Sequence, residues 1–279
     1  VMKKHQRYFP VRSAQNGYLL PYFITIRNGN REFSEVVIDG NELVIKARFA
    51  DAAFFISEDL KQPLEAYLPK LDTLIFQAKL GSMLAKSKRV EALAQVLAPT
   101  VGVKEEQIPL VRRAAQLYKA DLVTHMVVEM TALQGVIGRF YALKSGEPEA
   151  VADAIFEHYK PSYAGDETPK TRLGFLLGLS DRLDSLIGLF AAGMAPTGTK
   201  DPFAQRRMAL GLVQNLIAWE QVFDLNAALK SATSHLPIQC SASALAECQA
   251  FIAGRMRNEF LERGYPYDVV DAVLAVQNH

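Results

Sequence analysis

Apolar residues recur at three- and four-residue steps over most of this chain and alternate in the manner of a strand only near its start. Residues 1–31 carry the β pattern. RYFPV and YLLPYFITI are rich in aromatic and β-branched residues, and Asn16-Gly17 between them predicts a hairpin turn. Pro10 and Pro21 confine that pair to a sheet edge or to bulges. A lone hairpin is marginal in water, so it is expected to pack on the helices that follow or on a preceding domain.

From Asp39 the period becomes helical. The first predicted helix carries Leu43, Val44, Ala47, Phe54, Phe55 and Ile56 and ends near Lys61, before Pro63; Lys46, Arg48, Asp51, Glu58 and Asp59 interrupt its apolar face and are expected mostly in solvent. A short helix at 64–67 precedes the connector DTLIFQAKLG, whose pattern fits either strand or coil. Residues 82–97 read as a helix with Lys86, Lys88 and Arg89 in its first turns, either a solvated face or an RNA patch. Residues 105–143 read as one long apolar-periodic segment, with Gly135 and Gly138 marking close packing near its end. Further helices are expected at 147–159, 210–219, 225–236, 242–263 and 267–276, with a weak boundary at Leu236-Pro237-Ile238. Roughly four fifths of the chain beyond residue 40 should be helical, well above the ordinary share. The expected fold is mainly α, a helical bundle preceded by a short β-hairpin, divided as 1–38, 39–236 and 237–279.

The rest is organised around residues 173–207, LGFLLGLSDRLDSLIGLFAAGMAPTGTKDPFAQRR. Leu173, Leu176, Leu177, Leu183, Leu186, Ile187 and Phe190 form one apolar stripe; Gly174, Gly178, Ser185, Gly188 and Ala192 form a second stripe of small residues. Glycine costs ~1 kcal/mol in a helix interior, so three of them on one face imply that another backbone passes close by. Asp181 lies on that small face and Asp184 one turn on. Such carboxylates serve either as partners for arginine or caps for a neighbouring helix, or as metal or phosphate ligands. A Thr-Gly-Thr-Lys turn follows, after which Asp201 as N-cap and Pro202 as first helical residue are expected to restart a helix.

Composition narrows the function. With 279 residues, 49% of them hydrophobic, the chain can bury a large core, and its net charge of +1 supplies no global field for nucleic acid, so any RNA contact must be a local patch. Cys240 and Cys248, eight apart, match neither a zinc site nor a disulfide framework and suggest a reducing cytoplasmic setting. No apolar run reaches membrane-spanning length. The opening Val1-Met2-Lys3-Lys4-His5 reads like the middle of a strand, as in an excised fragment. There is no Gly-rich phosphate loop and no Gly-x-Ser-x-Gly elbow, and His5, His125, His158, His235 and His279 are scattered singly.

The segment LSDRLDSL resembles the part of HD-domain phosphohydrolases that carries their last metal-binding aspartate, which would be Asp181 here. Those helical proteins also need a His-Asp dipeptide, and no histidine of this chain precedes an aspartate; His158 is followed by Tyr159. One aspartate cannot hold a divalent metal. The resemblance therefore implies an HD-like fold whose metal site is degenerate.

A more extensive resemblance rests on HQRYFPV at 5–11, DGNELVIKARFADAAFFISEDLKQPLE at 39–65, LGSMLAKSKRVEALA at 80–94, KADLVTHMVVEMTALQGVIGRFYA at 119–142, EHYKPSYAGDETP at 157–169, LSDRLDSLIGLFAAGMAPTGTKDPFAQRR at 179–207 and YPYDVVDAVLA at 265–275. In this order they resemble the middle portion of the bacterial glycyl-tRNA synthetase β subunit. The resemblance implies a cytoplasmic α2β2 ligase in which the α subunit activates glycine with ATP and magnesium, while the β subunit contains an HD-like domain and binds tRNA(Gly). It also implies an anticodon-binding region beyond residue 279, no catalytic residue or metal in this chain, and neither membrane nor DNA as partner.

RNA backbone contacts need lysines and arginines held on ordered elements. Lys200, Arg206 and Arg207 meet this on a turn and a helix start, followed by Arg7 near the hairpin and by His158 and Lys160 beside the AGD loop. Each could equally be a surface cation or half of an internal ion pair. Two other readings stand beside the ligase subunit: a metal-dependent phosphohydrolase of the HD type, and a non-catalytic helical scaffold for protein partners.

Overall fold

The computed structural model describes residues 7–163 and 165–276; the opening Val1-Met2-Lys3-Lys4-His5, and His279, lie outside them. Strands β1 (Phe9–Arg12) and β2 (Leu19–Ile24) precede helix α1 (Ser34–Asp59), a 3-10 segment at Leu64–Thr73 and strands β3 (Ile75–Gln77) and β4 (Gly81–Ser82). Then come α2 (Met83–Leu97), α3 (Ile108–Leu117), α4 (His125–Glu129), α5 (Val136–Lys144) and α6 (Glu149–Glu157). The chain continues through α7 (Arg172–Ala191), α8 (Gln205–Ala218), α9 (Leu225–Thr233), α10 (Ala242–Glu262) and α11 (Tyr267–Val276). The mainly helical class with an N-terminal hairpin is as expected. Two compact units are present, one of residues up to 61 with 125–133, the other of residues 62–124 with those from 134 onward.

In the first unit β1 and β2 pair antiparallel, Phe9 opposite Ile24, with a bulge between Pro10 and Arg12. Gly17 takes φ 70° in the turn, and Asn16 Oδ1 accepts from the Tyr18 N–H at 3.0 Å. The hairpin reaches α1 through Tyr8, which donates to Asn41 and packs on Phe23. Helix α1 runs unbroken from Ser34 across residues 38/39, so compactness does not divide the chain there. Asp59, expected in solvent, is buried: its carboxylate accepts from the His125 and Met126 N–H groups at 2.9 and 3.0 Å and thereby caps α4.

The second unit is built around α7, on which α2, α3, α6, α8, α9 and α10 pack. Because α10 rests on both α7 and α8, the residues beyond 236 belong to this unit as well. Thr171 caps α7, accepting from the Gly174 N–H at 3.1 Å. Every residue from Leu173 to Phe190 is buried except Asp181. The helix is thus covered all round and not along one stripe. At Gly178 a neighbouring backbone does pass close: a Cβ there would stand 2.9 Å from the His158 carbonyl oxygen. At Gly174 and Gly188 the close neighbours are instead the side chains of Glu157 and Leu80.

Three local features have identifiable causes, the first of them one of the two outcomes the sequence pattern allows. The connector at 72–81 forms the β3–β4 hairpin, whose last residue, Ser82, caps α2 by accepting from the Ala85 N–H. The long segment at 105–143 is broken into short helices. Asp121 is buried within it, and its Oδ2 accepts from the Gly135 and Gly138 N–H groups at 2.6 and 3.2 Å, which ties the start of α5 to the 3-10 turn at Ala120–Val123. Finally, α8 begins at Gln205, not at Pro202, after Ala204 in left-handed geometry (φ 53°). Asp201 still caps it, from four residues away, by accepting from the Gln205 and Arg206 N–H groups.

Candidate nucleic-acid interface

Two groups of cations stand beside α7, and they differ in what faces them. The first is buried. Lys86 and Arg89 project from α2, and neither belongs to a solvated face or an RNA patch: they are 2% and 7% exposed. Lys86 Nζ lies 2.8 Å from Asp181 Oδ1 and 3.0 Å from Asp184 Oδ2, while Arg89 Nε lies 2.7 Å from Asp184 Oδ1. Lys88, on the other side of α2, is exposed. Asp184 therefore takes the role of arginine partner, and Asp181 that of a lysine partner.

Lys119 completes this cluster. Its Nζ is 2.8 Å from His158 Nε2 and 3.6 Å from Asp181 Oδ2, and it lies over the Tyr159 ring at 4.0 Å. His158 Nδ1 is 2.7 Å from the Ile155 carbonyl oxygen, which can only accept. The proton therefore sits on Nδ1, and Nε2 accepts from the lysine. Burial, with Lys119 beside it, drives the His158 pKa well below its usual value and keeps the ring neutral. Burial also lowers Lys119 to about 8, against the opposing pull of Asp181 and with Lys86 adding to the drop. Burial alone would raise Asp181; Lys119 and Lys86 overcome it and hold the carboxyl well below its usual range. The Tyr118 hydroxyl donates to Asp181 Oδ1 at 3.1 Å.

The dipeptide that faces Asp181 is thus Tyr118-Lys119, and the nitrogen and oxygen that converge there, from His158 and Asp181, enclose an ammonium. Among the described residues no three of His, Cys, Asp and Glu converge on one point. This arrangement does not fit a divalent cation, since the lysine already holds both donor atoms. With Nε2 bound to Lys119 and the ring 1% exposed, His158 has no free face for RNA and leaves the set of candidate contacts.

The second group lines a cleft of about 390 Å³ between α8 and α10. Arg206, Arg207 and Leu210 come from α8, Arg255, Asn258 and Glu262 from α10, and Tyr163 closes one side. Arg206 is partly engaged, donating to the Gly198 carbonyl and standing 3.8 Å from Asp201. Neither Arg206 nor Arg207 pairs with Asp181 or Asp184. Arg207 is exposed, and no hydrogen bond or ion pair of its side chain appears among the described residues. Lys200 is exposed on the preceding turn, and Arg7 is exposed in the other unit. Lys160 bridges Glu167 at 3.1 Å, so its charge is already matched.

Arg255, Asn258 and Tyr163 were not singled out by sequence reasoning. A usable signal existed for the first: Cys248, Ile252 and Glu259 are buried on α10, and Arg255 continues their three- and four-residue spacing. A charge on a buried face asks for a partner.

The glycyl-tRNA synthetase beta subunit family matches residues 1–275. The chain belongs to this family. It is 49% identical over 98% of its length to the glycine--tRNA ligase beta subunit of Trichodesmium erythraeum, of which it covers 39%. Against the subunits of the same name from Moorella thermoacetica and Desulforamulus reducens it is 44% and 46% identical, covering 40% of each. The chain thus spans about two fifths of these synthetase subunits. No helix among the described residues is long and apolar enough to cross a membrane.

Proposed function

We propose that this chain is the tRNA-contacting middle part of the β subunit of an α2β2 glycine–tRNA ligase, and that the corner formed by Lys200, Arg206 and Arg207 meets tRNA phosphate. Glycine activation with ATP and magnesium belongs to the α subunit in this reading, and the assembly works in the cytoplasm. Family membership supports the ligase assignment. The observation that carries the RNA contact is the pair of cations at the start of α8, on an ordered helix end beside an open cleft: among the described residues Arg207 has no hydrogen-bond or ion-pair partner, while Arg206 donates to the Gly198 carbonyl and keeps only a 3.8 Å carboxylate neighbour in Asp201. Cations held this way suit phosphate oxygens, whose binding is driven by counterion release. The buried cluster at Asp181 acts as a structural clamp, which disfavours the phosphohydrolase alternative.

The test is Arg206→Glu with Arg207→Glu in the α/β assembly, with a melt and a tRNA(Gly) titration on the same preparation. Affinity should fall about tenfold or more at low salt, and the loss should shrink as salt rises. Melting should change little, because neither arginine is locked into the core. A folded variant with unchanged affinity at every salt concentration overturns the assignment of this corner.

A further inference from the structure

We propose that the cleft between α8 and α10 holds one unpaired nucleotide of the bound RNA, its phosphate against Arg207 and Arg255 and its base against the ring of Tyr163. This rests on the RNA-binding reading above and adds to it a defined slot.

Arg255 is the observation that points to a ligand. Its Nε is buried without a hydrogen-bond partner, and no carboxylate among the described residues lies within ion-pairing distance. The guanidinium is held 5.4 Å from the centre of the Phe251 ring, which packs in turn on Phe190 of α7. A donor stripped of water and left without an acceptor is unfavourable; Arg255 also lines the cleft, so a shift of its side chain would bring that donor to an arriving anion. The opposite wall offers Arg207, also without a partner among the described residues. Gln214 Nε2 donates to Glu259 Oε2 at 3.0 Å across the same two helices and fixes their spacing, so the two arginines face a preformed space. Arginine forks suit phosphate oxygens geometrically.

Size and aromatic character extend the ligand beyond a bare phosphate. About 390 Å³ lies at the lower end of small-molecule sites, ~300–1,000 Å³, room for a single nucleotide. Tyr163 is 65% exposed, and no aromatic ring among the described residues packs against it. A free ring beside two arginines is the pairing that single-stranded RNA recognition uses, since a base already stacked in a duplex cannot also lie on a protein ring. Asn258 and Glu262, at the same wall as Arg255, provide a donor and acceptors for base or ribose edges. With Arg206 included, three arginines against one glutamate leave the cleft positive.

The measurement is tRNA(Gly) affinity of the α/β assembly as a function of salt, for Tyr163→Leu, Tyr163→Phe, Arg255→Gln and Arg255→Lys. Tyr163→Leu should weaken binding about tenfold and Tyr163→Phe should bind as the parent does, because stacking needs the ring and not the hydroxyl. Arg255→Gln should also weaken binding about tenfold and flatten the salt dependence by the share of roughly one phosphate; Arg255→Lys should recover part of the loss. If Arg255→Gln weakens binding and Tyr163→Leu does not, the cleft reads phosphate alone and the nucleotide slot is wrong. If both leave affinity unchanged while charge reversal at Arg206 and Arg207 weakens it, the slot is wrong and the RNA-binding corner stands. If none of the variants weakens binding, both readings fall. Dissociation of the subunits by both Arg255→Gln and Arg255→Lys identifies a protein-docking surface and overturns the proposal.

Discussion

Lys86, Arg89 and Lys119 on one side, and Arg206, Arg207 and Arg255 on the other, are six cations carried by elements packed around or beside α7. Their difference lies in what meets them. The first three close on Asp181, Asp184 and the neutral ring of His158 inside the protein. The second three line an open cleft where Glu262 is the one carboxylate among the described lining residues. A cation whose partner lies within the fold contributes to holding it; one without an internal partner is free to meet something outside. The comparison also separates two uses of the acidic pair on α7. It does not touch the arginine corner, but neutralises the lysines and the arginine that α2 and the Tyr118-Lys119 turn drive into the core.

The largest effect expected from breaking this contrast is at Asp184. It is 1% exposed and receives both Lys86 and Arg89. Asp184→Asn keeps the volume but leaves the three buried cations of the cluster with one carboxylate, Asp181, which pairs with Lys86 and Lys119 and not with Arg89. Removing one partner of a buried ion pair costs roughly 3–5 kcal/mol. For a unit of this size the melting temperature should drop by about 10 °C or more. A melt within 2–3 °C of the parent (about 1 kcal/mol) would show that the cluster is solvated in solution.

A smaller, pH-dependent effect is expected at Lys119. It is the surplus charge of the cluster: Lys86, Arg89 and Lys119 make three cations against two carboxylates, and Asp121, Arg182, Tyr118 and Tyr159 stand around it. Its folded pKa of about 8 lies below the 10.5 of a free lysine. Below pH 8 both states hold the proton and the burial cost is fully present. Between about 8 and 10.5 the unfolded chain holds a proton that the folded one has released, so stability rises with pH, by at most ~1.4 kcal/mol per unit. Lys119→Met lacks this rise. Stability compared between pH 7 and pH 9.5 should therefore shift in favour of the parent as pH increases. A parent–variant difference that stays flat over that range shows that Lys119 keeps its ordinary pKa.

The elements that were legible in the sequence are those whose pattern was local. Asn16-Gly17 specified the hairpin, and α9, α10 and α11 lie within a few residues of where the apolar period placed them. The breaks in 105–143 were hidden because their cause is tertiary: a buried Asp121 reaching the N–H groups of Gly135 and Gly138. At the site, Arg206 and Arg207 could be read as a corner because they are adjacent in sequence. Arg255 joins them only through the packing of α10 on α8, 48 positions later, and no local pattern records that meeting. Lys86 and Arg89 were misread for the converse reason. A basic cluster in a helix's first turns looks solvated until its partners, almost a hundred residues away, are brought against it.

The smallest expected effect tests the open side of the comparison with the stability of the free protein. Arg255 places a desolvated Nε beside Phe251 with no acceptor, and an unmatched buried donor costs about 1–3 kcal/mol. Its contact with the aromatic ring returns about 0.5–1 kcal/mol. Arg255→Met keeps an apolar stem against Phe251 and removes the unmatched donor, so the two changes nearly offset, with the balance toward stabilisation. The melting temperature without RNA should stay level or rise by a few degrees, within about 1 kcal/mol. Arg89→Met, cutting a cation from Asp184 in the same fold, should lower it clearly and serves as the internal reference. A fall for Arg255→Met comparable to that of Arg89→Met would mean that Arg255 has a structural partner in solution, and the distinction between the two sets of cations would fail at that position. A level or raised melt together with weakened tRNA binding would place the arginine where stability gains nothing from it and the ligand does.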